Sequence, residues 1–241
     1  SNGQTLSSCI IAMDGKDDTL YHHTSALANG AGDNSYRYAG PSDSVNNFVC
    51  FGSDETTCPT DNLYRIIGVI DNKVKLIKYD YATSTLLGTD GDYYGSSTPN
   101  STYYKGSLSS IDLYYWNYKN DTTVNNGYGS NTWSTSLLNK TNLNTNFINK
   151  IGSTWANKLA TTTWQVGGNT RANIGTATPS TAYQNEIVNS VTTNTTDGAK
   201  EYSAKIGLMY VSDYYYAASP SAWTLVGYNS DSTKDYRAAT G

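Results

Sequence analysis

Between residues 62 and 79 the order of apolar and polar positions predicts a β-hairpin. NLYRIIGVI is a β-rich run, Asp71-Asn72-Lys73 supplies turn chemistry, and VKLIKY alternates apolar with basic residues. The first strand is apolar on both faces, so it is expected at the centre of a sheet. On the second strand, Val74 and Leu76 are assigned to the core side, and Lys73, Lys75 and Lys78 to water. Shorter strands are predicted at Tyr36-Arg37-Tyr38, Asn47–Phe51 and Thr161–Val166, the last stopping at Gly167-Gly168. Lys205–Val211, KIGLMYV, is a second candidate for a central strand.

Helical spacing is confined to the middle of the chain. Ser134 is placed to cap a helix carrying Leu137 and Leu138. A second helix is predicted from the stripe Phe147, Ile148, Ile151, Trp155 and Leu159, with Gly152 weakening it by about 1 kcal/mol. A short helix is expected at Tyr183–Val188. Residues 80–130 and 169–200 carry few aliphatic side chains and no sustained period, which predicts loops and short elements. With no internal repeat and no dividing linker, the expectation is a loop-rich α+β domain. We assign residues 31–241 to that single domain and 1–30 to an N-terminal extension, with Ser1-Asn2 read as a tag-cleavage scar.

Composition narrows the function classes. Charged residues make up 15% of the chain and the net charge is -4, which leaves no basic field for a nucleic-acid partner. Tyrosine outnumbers phenylalanine 22 to 3, and tyrosine suits half-wet surfaces because its apolar ring ends in a polar tip. A charge-poor surface rich in Tyr, Asn, Ser and Thr is typical of extracytoplasmic proteins. No stretch approaches the ~20 apolar residues of a membrane span. Cys50 and Cys58 flank a polar loop and can close it by a disulfide in an oxidising compartment; two unrelated thiols are the other reading. Cys9 is left as a free thiol or as a link to another chain.

Candidate chemistry is sparse. His22 and His23 are the only histidines, and neighbours on a strand face opposite ways, so a shared metal is not expected. There is no G-x-S-x-G elbow and no P-loop; Gly127-Tyr128-Gly129 and Asp90-Gly91-Asp92 read as turns. The Asn-x-Ser/Thr triplets at Asn100, Asn120, Asn139 and Asn194 are what an Asn/Thr-rich chain produces by chance. Tyr214, Tyr215 and Tyr216, with Trp223 and Tyr228 close by, have the composition of a binding surface; strand packing accounts for them equally well.

Four segments carry a resemblance. They are GDNSYRYAG, NNFVCFGSDETTCPTDNLYRIIGVIDNKVKLIK, NTWSTSLLNKTNLNTNFINKIGSTWANKLATTTWQVGG and SAKIGLMYVSDYYYAASPSAWT. Together, over roughly residues 31–226, they resemble the uncharacterised C-type lectin-like domain of surface and pilin-like proteins from gut Firmicutes. That domain lies in the fold branch of the formylglycine-generating enzyme and of the variable proteins of diversity-generating retroelements. The resemblance implies a C-type lectin-like fold, with two helices packed on a small, mostly antiparallel twisted sheet. It matches Cys50 and Cys58 to the family's cysteine pair, which favours the disulfide. It also implies a hydrophobic N-terminal anchor in the parent protein, and further aromatic strands after the SPSAWT segment, so the sheet here is expected incomplete or completed by another chain.

The enzyme branch depends on late cysteines, and no cysteine follows Cys58. The Glu-Pro-Asn, Gln-Pro-Asp and Trp-Asn-Asp motifs of calcium-dependent sugar binding do not occur either. The expectation is a non-catalytic, cofactor-free extracellular domain anchored at the cell surface, for adhesion or for ligand binding and display. Its partners would be protein, peptide or glycan ligands, contacted through Tyr214, Tyr215, Tyr216, Trp223 and Tyr228. The alternative is a pilin-type structural subunit of a surface filament, with other subunits as partners. Contact with a membrane is expected only through the absent anchor.

Overall fold

The computed structural model describes residues 4–88, 132–166, 168–169, 174–190 and 201–226. These are α+β, with antiparallel pairing throughout the described strands. The chain forms two compact units. The first comprises Ser1–Tyr79, Gly167–Val191 and Leu208–Gly241, and the second Asp80–Val166 and Thr192–Gly207.

The first unit is built on a five-stranded sheet. Its strands are β1 (Leu20–His22), β2 (Tyr36–Tyr38), β3 (Phe48–Cys50), β4 (Leu63–Ile70) and β5 (Lys73–Lys78). β4 is central, as its two apolar faces predict. One of its edges pairs with β3 and then β2, while the other pairs with β5, and β1 adds on beyond β2. The turn between β4 and β5 has Asp71 at φ 49° and Asn72 at φ 59°. Two successive left-handed residues twist the backbone in the sense that flanking strands require, and Asp and Asn tolerate that conformation best after glycine.

Register divides the sheet into two unlike faces. On one, Leu20, Tyr38, Ile66 and Val69 pack with Ile10 and Val45, and Val74 and Leu76 lean on the same cluster. Ile10 comes from the helix Leu6–Ile11, whose start is closed by a capping box between Thr5 and Ser8. On the other face Arg37 sits opposite Gly68, and Gly68 opposite Lys75. The pairing shifts register between Ile66 and Gly68. A Cβ at Gly68 would lie 2.1 Å from the Tyr36 carbonyl oxygen and 3.0 Å from the Arg37 Cα. Glycine is therefore what lets β2 approach this irregular point of β4.

Lys75 and Lys78 do not follow their expected assignment to water. Their side chains are 14% and 9% exposed. Alternation places Lys75 on the face opposite Val74 and Leu76 but could not show that the segment carrying Asp213 covers it. Lys78, three residues on, lies on the same side as Val74 and Leu76, so alternation itself argues against its assignment to water.

The second unit pairs β6 (Thr162–Gln165) with β7 (Glu201–Ala204). A wide π-type helix, Leu138–Phe147, runs on into Ile148–Lys150. Ser136 rather than Ser134 caps the start, its hydroxyl accepting from the Asn139 N–H at 3.2 Å. The expected stripe from Phe147 to Leu159 is broken. Phe147 and Ile151 are buried, but Gly152 takes φ 78° and a new short helix, Ser153–Ala156, begins there. That turn rotates the following residues off the stripe, and Ala156 is buried while Trp155 is only partly so.

Asparagines do much of the internal bonding in this unit. Asn139 and Asn142 are fully buried and donate to the carbonyls of Trp133 and Leu87. Asn144 both donates to the Ile206 carbonyl and accepts from the Ile206 N–H, at 3.0 and 3.1 Å. A side-chain amide thus takes the place of a strand neighbour, so β7 stops at Ala204 and KIGLMYV is not a strand.

Candidate functional site

The densest polar constellation lies on the second face of the five-stranded sheet. β2 supplies Arg37, the loop before it Asp33 and Ser35, and β5 Lys75. The helix Val211–Tyr216 supplies Asp213. Arg37 is 3% exposed and each of its three side-chain nitrogens donates a hydrogen bond. Its Nη1 donates to Asp213 Oδ1 at 3.0 Å, Nη2 to Asp33 Oδ2 at 2.9 Å, and Nε to Ser35 Oγ at 2.9 Å. Lys75 Nζ lies against Asp213 Oδ2 and also 4.2 Å from the Tyr210 ring centroid. Tyr183 and Tyr216 present their rings to the Arg37 guanidinium at 5.8 and 5.6 Å.

The helix carrying Asp213 is held from two sides at its start. Glu186, 5% exposed, accepts the backbone N–H groups of Val211 and Ser212, both at 2.9 Å. Asp213 itself accepts the Tyr210 N–H at 3.2 Å. Carboxylates at the first turn satisfy amides that the helix cannot, and complement its dipole.

Electrostatics follow from burial and pairing. Burial works against the charge on Arg37, but Asp213 and Asp33 outweigh it, so its pKa is raised. Burial would likewise raise Asp33; Arg37 and the Ser35 hydroxyl bring it below the ordinary carboxylate range. For Lys75 burial wins over the attraction of Asp213, and its pKa is lowered.

The sequence candidates fall in different places. Trp223 and Tyr216 are each 1% exposed and Tyr215 6%, so these rings are core. Trp223 meets Tyr21, His23 and Tyr216 at 5.5, 5.0 and 5.5 Å, and its indole N–H donates to the Ala218 carbonyl. Tyr215 donates to the Ile174 carbonyl. Tyr214, at 37%, presents its ring to solvent. Consecutive helical residues point about 100° apart, which is why one tyrosine of three faces out. Tyr228, Asp90-Gly91-Asp92 and Gly127-Tyr128-Gly129 lie outside the described residues.

Cys50 and Cys58 form a disulfide, and Cys9 is free and exposed. Beside the disulfide, on β3, Phe48 is 41% exposed and meets the exposed Tyr79 ring at 5.6 Å. The Arg65 guanidinium stacks 4.3 Å over Phe48 while donating to Asn47 Oδ1. No family model, curated protein or solved structure matches the chain. Among the described residues no group of three His, Cys, Asp or Glu is placed to hold a metal.

The histidines part company. His22 stacks on Tyr36 at 4.0 Å and bonds Asn34 at 2.8 Å. His23 is fully buried; its Nδ1 accepts from the Ala31 N–H, and Nε2 has no partner among the described residues. Burial, reinforced by the charge of Arg37, pushes the His23 pKa from 6.5 down to about 3. The unfolded chain therefore takes up this proton near pH 6.5, whereas the folded chain resists it until about pH 3. Stability is complete above that window and falls as pH drops through it, by up to about 1.4 kcal/mol per pH unit. Urea midpoints measured from pH 7 downward should show the slope. His23→Asn, whose side-chain oxygen can replace Nδ1 as acceptor, should lose most of it, and an unchanged slope would refute the assignment.

Proposed function

We propose that this chain is a non-catalytic extracellular domain, C-type lectin-like in fold, that binds or displays a ligand at the cell surface. The ligand class is a protein, peptide or glycan. The observation that carries this reading is the Cys50–Cys58 disulfide, since disulfides persist in oxidising compartments. It joins a charge-poor, tyrosine-rich composition that suits a half-wet recognition surface. The paired carboxylates also support it. Asp33 is committed to a guanidinium and Glu186 to backbone N–H groups, an arrangement that suits a scaffold better than acid–base chemistry.

A pilin-type filament subunit is the second reading. It draws on Leu208 and Met209, which are 43% and 45% exposed side by side ahead of the helix Val211–Tyr216. One set of measurements separates the two. Saturable binding of the purified monomer to a glycan array or to host surface proteins, weakened by Tyr214→Ala, supports the ligand reading. Concentration-dependent polymerisation, abolished by Leu208→Ser and Met209→Ser together, replaces it with the filament. A thiol-oxidase activity of the purified chain would overturn both.

A further inference from the structure

We propose that Lys75 and Asp213 condense into an intramolecular isopeptide bond, made by the folded chain itself. The bond would join β5 to the helix Val211–Tyr216, across 138 residues of sequence. The proposal is independent of the ligand reading.

Four features of the site favour the reaction. First, the partners are already in contact, and their side chains are 14% and 2% exposed. Holding two reactants in place removes most of the entropic barrier to joining them. Second, burial lowers the pKa of Lys75, which favours its neutral, nucleophilic amine. Third, the carboxyl group is prepared as an electrophile. Arg37 Nη1–H is 3.0 Å from Asp213 Oδ1, where negative charge collects when a nucleophile adds to Cγ. The Tyr210 N–H, 3.2 Å from Oδ2, orients the other oxygen. Fourth, Glu186 fixes the start of the helix on which Asp213 rides, which makes it a positioning residue.

The atoms balance without a further reagent. An ammonium on Lys75 and a carboxylate on Asp213 together carry three N–H hydrogens. The Nζ–Cγ bond forms and the Cγ–Oδ2 bond breaks. One hydrogen stays on the amide nitrogen, and the other two leave with Oδ2 as water. Oδ1 becomes the amide oxygen and can still accept from Arg37. The product exchanges a buried ion pair for a neutral link, and so removes two charges from a dry site. It also staples the first segment of the unit to its last, which restricts the unfolded chain as any long-range cross-link does.

Intact mass spectrometry of the full chain, purified folded, then reduced and denatured, tests this. The expected mass lies below the sequence mass by one water, and proteolysis should yield a branched peptide containing Lys75 and Asp213. Asp213→Asn should close to the same amide with loss of ammonia. Lys75→Arg keeps a positive charge against Asp213 but should stay at its sequence mass. A folded wild-type chain at the full sequence mass would overturn the proposal. So would a water loss that persists in Lys75→Arg, because it would belong to another site.

Discussion

Arg37→Met is expected to destabilise the first unit by about 3–5 kcal/mol, the usual cost of removing one partner from a buried ion pair. The loss comes less from missing attraction than from what stays behind. Asp33 would lose its only cation among the described residues and keep the Ser35 hydroxyl and N–H and the Tyr183 side chain, and Asp213 would keep Lys75 and the Tyr210 N–H. The rings of Tyr183 and Tyr216 would also lose the guanidinium they flank. Because the cost is an uncompensated charge, removing the charge should recover part of it. Arg37→Met combined with Asp33→Asn should therefore be more stable than the sum of the two single changes predicts. Urea denaturation of the four proteins of that cycle measures the coupling. A loss below about 1 kcal/mol for Arg37→Met would show the cluster to be wetter than its burial implies.

Trp223→Ala should cost a similar amount, about 3–5 kcal/mol, through the cavity left among Tyr21, His23 and Tyr216. An indole 1% exposed has neighbours on every side, and those neighbours are large rings that collapse poorly into a void. Tyr214→Ala is the contrast. Its ring is 37% exposed, and a change there is expected to alter stability by about 0.5 kcal/mol or less. Thermal melts of the two variants side by side decide the point. If Trp223→Ala melted like the parent while Tyr214→Ala did not, the division of the tyrosine-rich segment into core and surface would be reversed.

The hairpin β4–β5 was legible because its information is local: two apolar faces, a turn of Asp71 and Asn72, then alternation. Chain after residue 207 was not legible in the same way. Tyr214, Tyr215 and Tyr216 are chemically identical, and only the helix phase and the neighbours at Ile174 and Trp223 separate them. KIGLMYV looked like a strand by composition, yet the bonding of Ile206 was taken by an asparagine 62 residues away. The stripe from Phe147 to Leu159 had helical spacing, and Gly152 turned the chain within it.

The charged cluster was hidden for the same reason. Its members are Asp33, Arg37, Lys75, Glu186 and Asp213, and no spacing along the chain links them. One signal was present: an arginine between two tyrosines on a short strand is an awkward residue to place. Alternation could assign Arg37 and Lys75 to a face, but it could not supply the helix that buries them.

By itself, then, the sequence determined the α+β class, the central strand and its hairpin, the short strands at Tyr36–Tyr38 and Phe48–Cys50, and cysteines spaced to close a loop. These depend on side-chain period and turn chemistry within a few residues, which the order of residues states directly. The tertiary structure alone decided which tyrosines are core, that Lys75 is dry, and that Arg37 meets Asp213 across 176 residues. Those outcomes depend on which distant segment covers which face, and burial rather than residue type then sets the strength of each charge and the worth of each ring.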